Sequence, residues 1–331
     1  MQYEIASSAL RVALNDLGAS VASVQAWRLD VALSPRHFDV GGPDCGCACR
    51  TIGPCCGRVR GGEIAIDGHA IQLVRNEGDN HLHGGPHGAS TQVWRVEAHS
   101  PASISFTLDM PDGLDGYPGN RRLRAEYRVD GSELCARYSV STDRPTWAGL
   151  TSHLYWDLTG RFDGSAMAQL LEIAAHRVVM NDAHHVPVSV VDAAGPFDFT
   201  RPAAPGEMLR DWPDERQFTI ARGFNNAFIL DEDRDFAARL TAAQSGLRMT
   251  LYTDQPAIVF YSGGFLSSDD LLQTGTACPG CALALEAQPV PDPFHLPGQS
   301  PQITRAGTPW RSTIRWRFER IIKTSVVGCN N

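Results

Sequence analysis

Leu123-Arg-Ala-Glu-Tyr-Arg-Val129, then Asp130-Gly131, then Leu134-Cys-Ala-Arg-Tyr-Ser-Val140 is the passage that decides the fold. Each run alternates apolar and polar residues, the period of a strand with one buried face. Asp-Gly between two such runs signals a tight hairpin turn. Outward from it, Asp67-Gly68 separates Glu63–Ile66 from Ala70–Val74 in the same way. Ser103–Leu108, Val93–Val96, Gln217–Ile220, Leu247–Tyr252, Ala257–Tyr261 and Ser312–Phe318 are alternating, β-branched or aromatic. Gly, Pro, Asn and Asp clusters divide these runs at the spacing of a sandwich or barrel. Helical signal is thin: Asp235–Ala243 is the best short candidate, and it too could be a strand followed by a turn. With no internal repeat and no low-complexity linker, the reading is one all-β domain over residues 1–331.

At 331 residues, 43% hydrophobic and 20% charged, the chain has the composition of a soluble globular protein with a sizeable core. A formal charge of −8 argues against non-specific binding to nucleic acid. No window approaches the roughly 18 uninterrupted apolar residues of a membrane span. The opening residues carry Glu4 and Asp16 and no basic start before an apolar run, unlike a signal peptide. A cytoplasmic location is therefore expected, with no nucleic-acid or membrane partner. Nine cysteines, an odd count without a secretion signal, argue for free thiols rather than a disulfide framework. The cluster Cys45–Cys56 lacks the paired spacing of a zinc site, and Cys278-Pro-Gly-Cys281 reads as a loop turned by Pro-Gly.

Four segments crowd polar groups where an all-β chain should alternate: Gly53–Gly62 with Arg58 and Arg60, Asn80-His-Leu-His-Gly-Gly85, Leu150–Leu158, and Leu285-Glu-Ala-Gln-Pro-Val-Pro-Asp292. In the third, strand geometry puts Thr151, His153 and Tyr155 on one face. His153 is then either a satisfied core histidine or a catalytic group. Glu286 ends an apolar strand, where a carboxylate is costly unless paired or hydrogen-bonded; an ion pair with an arginine and a functional role weigh equally. His81 and His83, with His87 beyond, could share a strand face as metal ligands in the manner of a cupin, but the glutamate such a site wants is missing, and no metal is expected. Gly84-Gly85 implies a sharp turn or a close approach to a ligand.

Together, and in order, these segments resemble the aldose 1-epimerase (galactose mutarotase) family. Asn80-His-Leu-His-Gly-Gly85 is similar to its Asn-x-Leu-His-Gly-Gly motif, and Gly116-Tyr-Pro-Gly119 to its Gly-Tyr-Pro-Gly loop. Thr142-Asp-Arg-Pro-Thr146 with Leu150-Thr-Ser-His-Leu-Tyr155 resembles a strand pair of the family, Gly195-Pro-Phe-Asp-Phe199 its Pro-Phe-Asp-Phe stretch, and Leu285–Asp292 its base-bearing segment. The resemblance spans roughly residues 50 to 295 and implies a β-supersandwich of large antiparallel sheets with a sugar groove across one of them. It implies His153 as general acid toward the ring oxygen and Glu286 as general base toward the anomeric hydroxyl. It further implies Arg58, His83 and Asn225 as substrate-binding residues. Four positions depart from the pattern: Gly57 and Ser152 each replace an Asn, Asn225 replaces an Asp, and Val259 lies where some members carry Gln. These departures put galactose in doubt as the preferred sugar.

The implied chemistry is exchange of α and β anomers by ring opening and reclosure. It needs two proton shuttles and no metal or organic cofactor. The expected partner is a free monosaccharide, with the protein a monomer or homodimer. The rival readings are a hexose-phosphate epimerase, which would gather arginines such as Arg58, Arg60, Arg75 and Arg95 around a phosphate, and a sugar-binding module without catalysis.

Overall fold

The computed structural model describes residues 1–37, 47–273 and 275–321; Cys45 and Cys329 lie outside them. The passage quoted first is a long hairpin, Arg121–Asp130 against Glu133–Thr142, registered Leu123 to Val140, Ala125 to Tyr138, Tyr127 to Ala136 and Val129 to Leu134. All eight of those side chains are buried, while Arg122, Arg128 and Arg137 on the other face are exposed. Asp130 pairs with Glu133, so the turn is centred on Gly131-Ser132, one residue beyond the Asp-Gly expectation. The second hairpin, Glu63–Ile66 with His69–Gln72, turns on Asp67-Gly68, and both turn residues have positive φ (52° and 79°).

The long hairpin forms the middle of an antiparallel eight-stranded sheet. Its order is Arg95–Ser100, Ser103–Met110, Arg121–Asp130, Glu133–Thr142, Trp310–Arg320, Leu247–Thr253, Ala238–Ala242 and Leu170–Ile173. A six-stranded antiparallel sheet runs Tyr155–Trp156, Leu283–Gln288, Ala257–Tyr261, Asn225–Ile229, Arg177–Asn181 and Pro187–Asp192. Trp156 of the second sheet packs on Trp316 and Phe318 of the first, with ring centroids 5.8 and 5.7 Å apart. This is the expected β-supersandwich, and its core lies between the sheets.

Two sequence expectations resolve differently. Gln217–Ile220 belongs to a short helix, Arg216–Ala221, whose start is capped by the Glu215 side chain accepting from the Gln217 N–H at 2.9 Å. Gln217, Phe218 and Ala221 are its buried residues, a helical spacing that outweighs the β-branched pair Thr219-Ile220. Conversely, Asp235–Ala243 contains the strand Ala238–Ala242, where Ala238, Leu240 and Ala242 are buried at period two. A second helix, Pro205–Asp211, begins on its proline, which suits a first helical position.

Candidate active site

Glu286 sits in the strand Leu283–Gln288, all six residues of which are buried. Alternate residues of that strand face opposite ways: Leu283, Leu285 and Ala287 enter the core, whereas Glu286 and Gln288 line a cavity of about 200 Å³. The neighbouring strands add to the same face in register. Val259 lies directly across from Glu286, and Tyr155, Ala284, Tyr261 and Asn225 form the next row. Phe260, behind this floor, packs on Phe199 and Phe224, so Gly195-Pro-Phe-Asp-Phe199 supports the sheet from its core side.

His153 falls between two short strands, Thr151–Ser152 and Tyr155–Trp156. Its N–H donates to the Arg50 carbonyl at 3.0 Å, and its carbonyl accepts from the Cys49 N–H at 2.9 Å. The ring stacks on Tyr155, centroids 5.0 Å apart and planes 23° from parallel, as the shared-face reading requires. Nε2 lies 3.6 Å from Glu286 Oε1, and the two residues are only 5% and 4% exposed. Nδ1 has no hydrogen-bond partner among the described residues, so packing rather than a second acceptor aims the ring. Burial raises the Glu286 pKa, and His153 pulls against that rise. The partner of the buried carboxylate is thus an imidazole; among the described residues no arginine pairs with it.

His83 reaches the same cavity from the segment after the strand His81–Leu82, with a positive φ of 53° and its ring 5.8 Å from that of His153. Its Nδ1 accepts from the Gly57 N–H at 3.2 Å, which leaves the proton of the neutral ring on Nε2. Burial, then His153 and Arg58, hold its pKa well below the ordinary value, so His83 is a neutral hydrogen-bond donor. His81 takes a different path: buried, it contacts the Val74 carbonyl at 2.6 Å and the Tyr117 hydroxyl at 2.8 Å. His87 pairs with Asp115 at 3.0 Å. The three imidazoles therefore do not converge, because the chain leaves strand geometry at His83. Gly84 and Gly85, both at positive φ, meet protein rather than ligand: a Cβ on Gly84 would lie 2.2 Å from the Gly53 carbonyl oxygen.

Arg58 lines the cavity and holds Glu77 through two hydrogen bonds of 2.5 and 2.6 Å. Asn225 lines it too, with its carbonyl accepting from the Asn181 side chain at 2.7 Å. All five residues singled out from sequence, His153, Glu286, Arg58, His83 and Asn225, meet in this one cavity. Sequence reasoning missed Glu77, Gln288, Tyr261 and Phe265. Gln288 was within reach of it: two residues beyond Glu286 on a strand, it shares the face, and its buried Oε1 has no partner among the described residues. A larger hollow of about 510 Å³ beside Asp109 and Arg122 adjoins none of these groups. Cys55 and Cys56 are free and buried, and burial pushes both thiols well above the ordinary cysteine range. No helix among the described residues is long and apolar enough to cross a membrane.

A two-sheet supersandwich with a buried imidazole–carboxylate pair on the floor of a groove defines an isomerase of the mutarotase class. The model of the Aldose 1-epimerase family matches residues 1–317. The chain is 29% identical over 272 residues to the galactose mutarotase of Rattus norvegicus, covering 81% of this chain and 77% of the relative. It is 28% identical over 321 residues to the aldose 1-epimerase of Escherichia coli strain K12, covering 93% and 91%. Among solved structures, the galactose 1-epimerase of Lactobacillus acidophilus NCFM superposes with a TM-score of 0.83 at 26% identity, over 96% of this chain and 94% of that one. The chain belongs to the aldose 1-epimerase family.

Proposed function

We propose that the chain exchanges the α and β anomers of a free, neutral aldose, with His153 as general acid, Glu286 as general base, and Arg58, His83, Asn225 and Gln288 holding the sugar. The observation that carries this reading is the 3.6 Å approach of His153 Nε2 to Glu286 Oε1 within a buried cavity. The productive pattern is an imidazolium at His153 and a carboxylate at Glu286. Glu286 takes the proton of the anomeric hydroxyl as His153 delivers one to the ring oxygen. The bond from the anomeric carbon to the ring oxygen breaks and an aldehyde forms. Rotation about the first carbon–carbon bond presents the other face, and both proton transfers reverse on reclosure. Neutral His83 and the Arg58 guanidinium stabilise charge developing on oxygen, and Gln288 Oε1 accepts from a sugar hydroxyl.

The arginines speak for a neutral substrate. Arg58 is engaged by Glu77, Arg60 donates to the Pro187 carbonyl at 3.2 Å, and Arg75 donates to the Gly61 carbonyl at 2.9 Å. Arg95 donates to Thr107 on the other sheet, so the four do not gather around a phosphate. A single-domain protein, monomeric or homodimeric and cytoplasmic, belongs to the same proposal. Polarimetry of freshly dissolved aldoses tests it: acceleration by the wild type and none by His153→Ala or Glu286→Gln, each still folded, is the expected result. Binding of sugar without acceleration by the wild type would reverse it in favour of a non-catalytic module.

A further inference from the structure

We infer that Cys278 and Cys281 form a thiol–disulfide exchange site, at which Cys278 captures a small-molecule disulfide and Cys281 resolves it into an intramolecular disulfide. The site is separate from the anomer-exchange reading and does not rest on it. What carries it is a partly exposed thiol and a buried one held at the two ends of a single turn.

The turn is fixed by its sequence. The Cys281 N–H donates to the Cys278 carbonyl at 3.1 Å, closing a β-turn with Pro279 and Gly280 at its centre. Gly280 has a φ of +74°, which a type II turn demands at its third position, and Pro279 suits the position before it. Met167 packs over the same spot, where a Cβ on Gly280 would lie 2.6 Å from its Cγ, so glycine is required twice over. A β-turn keeps the Cα atoms of its end residues within about 7 Å, and those of a disulfide stand about 4.4–6.8 Å apart. The two thiols already hydrogen-bond to each other. Closure therefore needs side-chain rotation rather than backbone movement.

Exposure gives the two thiols different roles. Cys278 is partly exposed and open to a small disulfide, whereas Cys281 has no exposed surface. Burial above all pushes the Cys281 thiol up to about 12, with the Cys278 thiol and Asp157 adding to the rise. Cys281 is therefore not the group that meets the small disulfide first. In the first step Cys278 Sγ bonds to one sulfur of that disulfide, and the other sulfur leaves as a thiol with the Cys278 proton. Cys281 Sγ then bonds to Cys278 Sγ, and the captured half leaves as a second thiol with the Cys281 proton. The protein gives up two electrons and two protons, and one small disulfide becomes two thiols.

Other described cysteines lack this arrangement. Cys49, Cys55 and Cys56 are buried, and Cys135 stands on a strand between Arg128 and Arg315. Neither Cys278 nor Cys281 lines the catalytic cavity, although Cys281 stands two residues before the strand that carries Glu286.

The test incubates the folded full chain with glutathione disulfide, then denatures it in iodoacetamide to block the remaining thiols. The tryptic peptide Met249–Arg305, which holds Cys278 and Cys281 and no other cysteine, is then weighed. Wild type should give this peptide unalkylated and lighter by two hydrogens. Its glutathione adduct should stay below about a tenth of that product, because the second thiol acts at the high effective concentration of one turn. Dithiothreitol should restore both thiols. Cys281→Ala should instead hold glutathione on Cys278, and Cys278→Ser should leave Cys281 unmodified. A glutathione adduct that persists on wild-type Cys278, or two thiols that remain fully alkylated after millimolar glutathione disulfide, would overturn the inference.

Discussion

The imidazole of His153 lies over the ring of Tyr155, 5.0 Å between centroids and 23° from parallel, while its Nδ1 finds no hydrogen-bond partner among the described residues. The ring of this proposed general acid is aimed by a stacking partner and by the edge of His83. Tyr155→Phe keeps the aromatic face and should stay close to wild type in kcat. Tyr155→Leu removes it and should cut kcat by about 10²-fold through misplacement, with KM little changed. Rates at saturating and limiting sugar separate the two parameters; equal losses in both variants would show that the hydroxyl matters and the stack does not.

His153→Ala and Glu286→Gln should each lower the rate by about 10²–10⁴-fold, the worth of a positioned proton carrier. The double variant should be about as slow as either single one, because neither transfer completes without the other. Multiplicative losses, measured by NMR exchange between anomeric protons, would mean that the two groups act independently.

Much of this site could be read before any coordinates, for a physical reason. Motifs such as Leu150–Leu158 and Leu285–Asp292 break alternation by putting polar groups on strands, and that conflict is visible in one dimension. Arg58, His83 and Asn225 came only with the family resemblance, since no local rule distinguishes His83 from His81. Glu77 was out of reach because its partner Arg58 is nineteen residues away, across the hairpin of Glu63–Ile66 and His69–Gln72, and no strand or helix spacing pairs the two. Gln217–Ile220 was misread because four residues alternating polar and apolar, two of them β-branched, are too few to tell strand from helix; the deciding cap, Glu215, stood just outside the window. The Pro-Phe-Asp-Phe stretch shows the reverse: a recognisable motif whose aromatic rings pack beneath the floor of the cavity.

The pH profile follows from burial. Glu286 must be ionised to act, and its pKa is raised above the ordinary 4.5. Activity should therefore fall as pH drops through that raised value, with the acid limb of kcat/KM above the ordinary carboxylate range. His83 should contribute no step near neutrality, since it is already neutral there. A kcat/KM profile flat down to pH 4.5 would contradict an ionised Glu286 as the base.

Glu77 reaches the cavity only through Arg58, whose guanidinium it fixes with two hydrogen bonds. Glu77→Gln weakens that fork and should raise KM by about threefold to tenfold with kcat nearly constant, because a sugar-holding donor is loosened in ground and transition states alike. Arg58→Lys, which cannot make the fork, should do the same. A fall in kcat at constant KM in both variants would place Arg58 in the transition state rather than in uniform binding.

Gly57 offers the sharpest probe of sugar choice. Its φ is +78°, a conformation that glycine adopts freely and asparagine tolerates better than other side chains. A Cβ there would meet Pro291 Cβ at 3.4 Å and Gln288 Nε2 at 3.9 Å, ordinary contacts, so Gly57→Asn should fold with a loss of about 1 kcal/mol or less. The new amide would enter the cavity beside Gln288 and offer a donor and an acceptor that the wild type lacks. It should reorder the ranking of aldoses by about tenfold in kcat/KM, since a buried polar group favours the sugar whose hydroxyl satisfies it. Gly57→Ala carries somewhat more backbone strain and no amide, and should keep the wild-type ranking. Identical rankings for all three proteins over a panel of hexoses and pentoses would mean that this wall of the cavity does not touch the sugar.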